Sequence, residues 1–168
     1  MRILSISLCS RGFGFAVMEE GATLVDWGIK ASKGDKNKEC LRHVETLLDL
    51  YHPSSMVMED TRSSHRAERI RKLTEQLIAL AKGQKVRVKR VPAAKLMERF
   101  TPSGTRHDLA VVIASRFPAE LSQRLPPKRK PWQSEDGRLD MFKAVALALH
   151  VLEYPQPVGG KKEQVLLG

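Results

Sequence analysis

The sequence predicts an α/β fold: a mixed β-sheet in the order βββαβαβ, followed by helices, with helices on both faces. Three observations predict it. The first thirty residues hold three strand-like runs broken by short turns. Two amphipathic helical patterns then alternate with two short strands, the signature of parallel crossovers. A closing run, Leu139–Leu152, is apolar nearly all round, so it must be a buried helix.

Arg2–Leu8 and Phe13–Glu19 read as strands joined by the turn Ser10-Arg11-Gly12, and Ala22–Lys30 as a third strand after Glu20-Gly21. Lys33–Lys38 is rich in Gly and Lys and reads as a loop. Cys40, Leu41, Val44, Leu47, Leu48 and Tyr51 fall at helical spacing, and Pro53 marks the exit. Met56-Val57-Met58 within Ser55–Asp60 has the continuous apolar character of a strand covered on both faces. Arg66–Lys82 repeats the helical pattern, with Gly83 placed to cap it. Val86–Val91 alternates, leaving one basic face wet. Pro92 opens a short helix to about Phe100, and Asp108–Arg116 carries another. Pro118–Gln133 holds four prolines and reads as an extended surface connection. Ser134-Glu135-Asp136 supplies an N-cap and two first-turn acids for the closing helix.

With 168 residues the chain suits one domain, here residues 1–154, and is long enough to bury a core unaided, with a tail over residues 155–168. Its hydrophobic fraction of 42% and charged fraction of 29% exclude disordered and fibrous classes. No apolar run approaches the ~20 residues of a membrane span. Ile3–Cys9 is too short for a signal-peptide core, so the expected compartment is the cytoplasm. Cys9 and Cys40 match no zinc or redox spacing.

Charge carries more information. Twenty-nine Lys+Arg against nineteen Asp+Glu give a net +10. Between Lys85 and Arg106 seven basic residues, among them Lys89 and Lys95, face only Glu98, and Arg124, Lys128, Arg129 and Lys130 form a second cluster. Such clustering points to a polyanion partner rather than a merely solvated surface. Aromatics make up 5% of the chain, so contact with backbone phosphates outweighs base stacking as the expected mode.

Acids occur where chemistry would need them. Glu59 closes the buried strand, Asp140 opens the last helix with Glu135 and Asp136 upstream, and Ser7 ends the first strand. Carboxylates converging from strand ends and a helix are how a nuclease holds two divalent metals ~4 Å apart across a phosphate. Oxygen ligands of this kind suit Mg²⁺ or Mn²⁺.

At four places in order, over about residues 1–152, the chain resembles the RuvC-type Holliday-junction resolvases of the ribonuclease-H-like superfamily. Ile3–Val17 resembles the opening hairpin, and Met56-Val57-Met58-Glu59 the second acidic strand. Val91–Lys95 with Ser103–Arg106 resembles the family's P-x-x-V-K and G-x-G-x-A stretch, and Arg138–Leu149 its terminal acidic helix. The resemblance implies a ribonuclease-H-like mixed sheet, branched or duplex DNA as partner, a role in recombination or repair, and a homodimer matched to a two-fold junction. It places Glu59 and Asp140 on catalytic, metal-binding positions. It raises Lys95 and Arg106 to phosphate-contact candidates, beside Arg11, Lys89, Lys128, Arg129 and Lys130, which are nucleic-acid-binding candidates by their charge.

Two positions depart from the family. Ser7 stands where the first Asp is expected, and Lys143 where the last one is. A neutral hydroxyl cannot replace a carboxylate that bridges two cations. Lys143, one turn after Asp140, is expected to act as an internal counter-ion in place of a divalent cation. The expected function is therefore nucleic-acid binding of the junction-resolvase type with nuclease activity weakened or lost. The alternatives are a Mg²⁺-dependent endonuclease rebuilt on Asp60, Glu135 or Asp136, and a basic module for a protein or RNA partner.

The remaining residues have plainer readings beside the functional ones. Glu59 can open a loop and pair with Arg62, and Asp140 can be an exposed first-turn acid. His65 and His107 are weak general-base candidates. Cys9 reads as a small buried hydrophobe or a thiol beside the site. Phe13 reads as core rather than a wedge against bases. Trp132, next to Pro131 and the Lys-Arg-Lys run, is the best stacking candidate. Gln164–Leu167 reads as a frayed end or a docking peptide.

Overall fold

The computed structural model describes residues 1–62, 66–134 and 136–154. Strands β1 (Arg2–Cys9), β2 (Gly12–Glu19) and β3 (Thr23–Ala31) form an antiparallel meander. Helix α1 (Lys36–Tyr51) leads to β4 (Ser55–Asp60), and α2 (Glu68–Gly83) to β5 (Arg87–Pro92). Both crossovers return parallel, so the sheet order is β3-β2-β1-β4-β5 and the sheet is mixed, as expected. Then come α3 (Ala93–Phe100), α4 (Arg106–Arg116), α5 (Pro118–Leu121), a 3₁₀ turn over Ser122–Arg124, and α6 (Leu139–Glu153).

Alternation along the strands sends side chains to two cores. Leu4, Ile6, Leu8, Phe13, Phe15, Met56 and Met58 pack under α1 and α2. Ile3, Ala16, Met18 and Val57 pack under α6, with α3 and α4 outside it. Twelve of the fifteen residues of α6 are buried, which makes it the central helix of its layer. Its alanines allow close approach, and the buried Ser5 hydroxyl on β1 donates to the Ala144 carbonyl at 2.5 Å. Phe13 is fully buried, as expected of core. No described helix is long and apolar enough to cross a membrane.

Several boundaries differ from expectation. α1 starts at Lys36, inside the expected loop, because Asp35 caps it by accepting from the Lys38 amide at 3.2 Å. Its first turn faces water and so carries no apolar periodicity. α2 starts at Glu68 and ends with Gly83 inside it, while the left-handed residue that turns the chain is Lys85, at φ 61°. α4 begins two residues early, at Arg106, because Thr105 and Asp108 form a reciprocal capping box. Pro118 at a helix start is compatible with one turn of helix, so the proline-rich stretch is extended only beyond Arg124. Ser134 does not cap α6, whose N-cap is Arg138 with no side-chain cap bond. The Asp136 side chain accepts from the Arg138 amide at 2.9 Å, and its carbonyl from the Leu139 amide at 3.1 Å. The expected tail at 155–168, with Gln164–Leu167 in it, and the residues His65 and Glu135 lie outside the described residues.

Candidate functional site

The site lies where β1 and β4 end beneath the first turns of α6. Ile6 pairs with Met58 in parallel register, so Ser7 and Glu59, one step further, end side by side on the α6 face. Ser7 lies opposite Gly14 on β2. Gly14 is the reason α6 can come so close. A Cβ there would fall 2.3 Å from the Asp140 carbonyl carbon and 2.5 Å from the Met141 nitrogen.

Asp140 is thereby set down beside Ser7, whose hydroxyl donates to Asp140 Oδ1 at 2.9 Å. Arg106 Nη2, from the start of α4, donates to the same oxygen at 3.0 Å. Lys143, one turn along α6, donates through Nζ to Glu59 Oε1. These two side chains are 12% and 13% exposed, so their pairing is far less screened than a surface bridge. Arg66 Nη1 is 3.6 Å from Glu59 Oε2, and its Nη2 donates to the Leu8 carbonyl at 2.8 Å. Ser7 thus meets Asp140, and Lys143 meets Glu59, on the sheet face that α6 covers. Glu59 does not pair with Arg62, which instead chelates Asp60 at 2.8 and 3.0 Å on the opposite sheet face.

Two carboxylates here meet three cations, so the cleft carries its own positive excess. Two-metal sites need carboxylates free to bridge ions. Glu59 and Asp140 already hold side-chain cations, and an ammonium sits where a third acid would be needed. Among the described residues no group of three His, Cys, Asp or Glu is placed to hold a metal ion. The donor set does not fit a pair of Mg²⁺ or Mn²⁺ ions. Asp60 and Asp136 are no substitutes: bonds from Arg62 and Arg138 occupy them and hold their carboxyls below the usual range.

Cys9 lies half-buried beside Asp140. Burial, and next the Asp140 charge, push its thiol up, away from the thiolate that a reactive cysteine needs. His107 Nε2 bonds the Pro126 carbonyl at 2.9 Å, which gives it an anchoring role rather than that of a base.

The basic candidates are spread over the surface. Arg11 is exposed on the β1–β2 turn, where Lys36 and Arg69 converge by donating to the Ser10 carbonyl at 3.0 and 3.3 Å. Arg106 belongs to the cleft itself. Lys128 acts electrostatically on Asp108 at the start of α4, close to Arg106 in the chain, and Arg129, Lys130 and Trp132 follow it on an exposed loop. Lys89 lies partly buried on β5, opposite Val57. Lys95 is not brought to the cleft. It acts on His150, ten residues along α6 from Asp140, or ~15 Å at helical rise.

Arg66, Lys36, Arg69 and Gly14 escape sequence reasoning. Only Gly14 leaves a signal, an isolated glycine inside a strand, which marks a close backbone approach.

No protein-family model and no curated protein matches the sequence. Solved structures do. The chain is similar to Thermus thermophilus RuvC, at TM-score 0.60 and 13% identity over 89% of this chain and 92% of that one. It is similar to the same RuvC in complex with Holliday junction substrate, at TM-score 0.65 and 15% identity over 91% and 94%. It is also similar to Fowlpox virus resolvase in complex with substrate Holliday junction DNA, at TM-score 0.59 and 15% identity over 90% and 98%. A five-stranded mixed sheet between two helical layers, matched along nine-tenths of its length, gives this chain the RuvC-like, ribonuclease-H-like fold.

Proposed function

We propose that this protein binds branched DNA of the four-way-junction type through phosphate contacts and holds it without the two-metal cleavage of a resolvase. The observation that carries the proposal is the pairing of Lys143 with Glu59 beside that of Arg106 and Ser7 with Asp140. These contacts neutralise from within the carboxylates that would otherwise bind ions. The net charge of +10, and the junction complexes formed by two proteins of the same fold, support DNA as the partner. A homodimer fits the two-fold symmetry of a junction.

Binding is tested by competing a labelled four-way junction against linear duplex over a salt series. Preference for the junction, with affinity falling steeply as salt rises, is the expected result. Cleavage is tested on the same junction with Mg²⁺ and Mn²⁺. No cleavage by the native protein, and its appearance in the double variant Ser7→Asp, Lys143→Asp, would mark a disabled site. Cleavage by the native protein that Glu59→Gln abolishes would overturn the proposal in favour of a rebuilt nuclease. Equal weak binding to every nucleic acid would favour a basic module with another partner.

A further inference from the structure

The loop between the 3₁₀ turn and α6 ends in a small closed structure. The Gln133 amide donates to the Lys130 carbonyl at 2.9 Å, closing a four-residue turn with Pro131 second and Trp132 third. Proline in that position presets the backbone angle the turn needs. Two further bonds lock it: the Lys130 amide donates to Gln133 Oε1 at 3.0 Å, and Arg129 Nη1 to the Gln133 carbonyl at 2.7 Å. Held at the tip, Trp132 is 78% exposed, and the Lys130 ammonium lies over its ring, 5.5 Å from the centroid.

An ordered turn that thrusts its largest apolar side chain into water presents a contact surface. Lys128, Arg129 and Lys130 decide what the surface meets, because three cations beside one aromatic ring suit a polyanion carrying flat rings. The loop is also tied to the cleft. The Pro126 carbonyl bonds His107, the neighbour in sequence of the Arg106 that reaches Asp140. In an intact duplex the faces of the bases are covered by their neighbours. An indole can stack only on a base left open, at a branch point or in a single strand.

We propose that the Lys130–Gln133 turn is a nucleobase-stacking site, in which Trp132 covers an unpaired DNA base while Lys128 and Arg129 hold the adjoining phosphates. The site rests on the DNA-binding function proposed above and adds to it a preference for open bases.

Two measurements test it. The chain has two tryptophans, so Trp27→Phe leaves Trp132 as the sole indole reporter. Its fluorescence is expected to be quenched by a four-way junction and by a thymidine oligonucleotide, but not by a blunt duplex bound at the same site occupancy. Separately, Trp132→Ala in the otherwise native chain is expected to weaken junction and single-strand binding roughly five- to hundredfold, leave duplex binding unchanged, and be largely rescued by Trp132→Phe. This arm uses labelled DNA and does not depend on how the Trp27 variant folds. Binding to all three DNAs with an unresponsive indole and no effect of Trp132→Ala overturns the stacking site alone. Failure to bind any DNA at low salt overturns the proposed function and the stacking site with it.

Discussion

Gly14 on β2 lies against the backbone of Asp140 on α6, so closely that a Cβ on Gly14 would stand 2.3 Å from the Asp140 carbonyl carbon and 2.4 Å from its oxygen. The position of the cleft's second acid is therefore set by the absence of one methyl group. Both atoms that a Cβ would strike are backbone, so a larger residue must displace the start of the helix.

Gly14→Ala is expected to cost about 1–3 kcal/mol, the usual range for overpacking, and to part Ser7 from Asp140. Urea denaturation measures the cost. An unchanged midpoint would show that the helix start can yield freely.

Removing one member of a mostly buried ion pair leaves its partner charged and short of compensation. Lys143→Met is expected to destabilise the fold by about 3 kcal/mol, at the low end of the range for such losses because Arg66 still faces Glu59. The double variant Lys143→Met, Glu59→Gln is expected to recover most of that loss. A double-mutant cycle in urea reads the coupling, and additive effects would show the two residues to be independent.

His150 is 2% exposed on α6, and its Nδ1 has no hydrogen-bond partner among the described residues. Burial, then the charges of Lys95 and Arg99 on α3, lower its pKa from the ordinary 6.5. The unfolded chain then binds a proton that the folded chain resists. Stability from this group is complete above pH 6.5 and falls as the pH drops below it. The melting temperature of His150→Leu is expected to fall less than that of the native protein between about pH 7 and 5. Parallel curves would assign the acid sensitivity elsewhere.

The Tyr51 hydroxyl donates to Asp26 Oδ2 at 2.5 Å, and this bond, ahead of burial, pushes the phenol up to about 12. A raised value means that stabilisation is whole below the ordinary 10 and is lost as pH climbs towards 12. Ultraviolet titration is expected to show one tyrosine ionising late, and Tyr51→Phe to remove that late step. A late step that persists in the variant would overturn its assignment to Tyr51.

Much of the architecture can be read along the chain, because burial writes periodicity. Met56-Val57-Met58 announces a strand covered on both faces, and the run from Leu139 announces a helix enclosed on all sides. Ser7, Glu59, Asp140 and Lys143 are legible as a group because each falls at the end of a strand or within one turn of a helix start. What bonds to the acids is not legible. Arg66 and Arg106 reach them from loop and helix ends through long side chains, and no periodicity records where a guanidinium goes. Helix starts are hidden for a related reason: the helix at Lys36 begins on one capping bond and that at Arg106 on a reciprocal capping box, and neither leaves an apolar stripe.

The sheet's outer margin at β5 bears Arg87, Lys89 and Arg90, and ends on Pro92. Unsatisfied amides on such a margin invite another chain to zip alongside. An identical strand laid there would bring ammonium and guanidinium groups together, and the proline withholds one donor. Fibrillar self-addition along this rim is thereby discouraged.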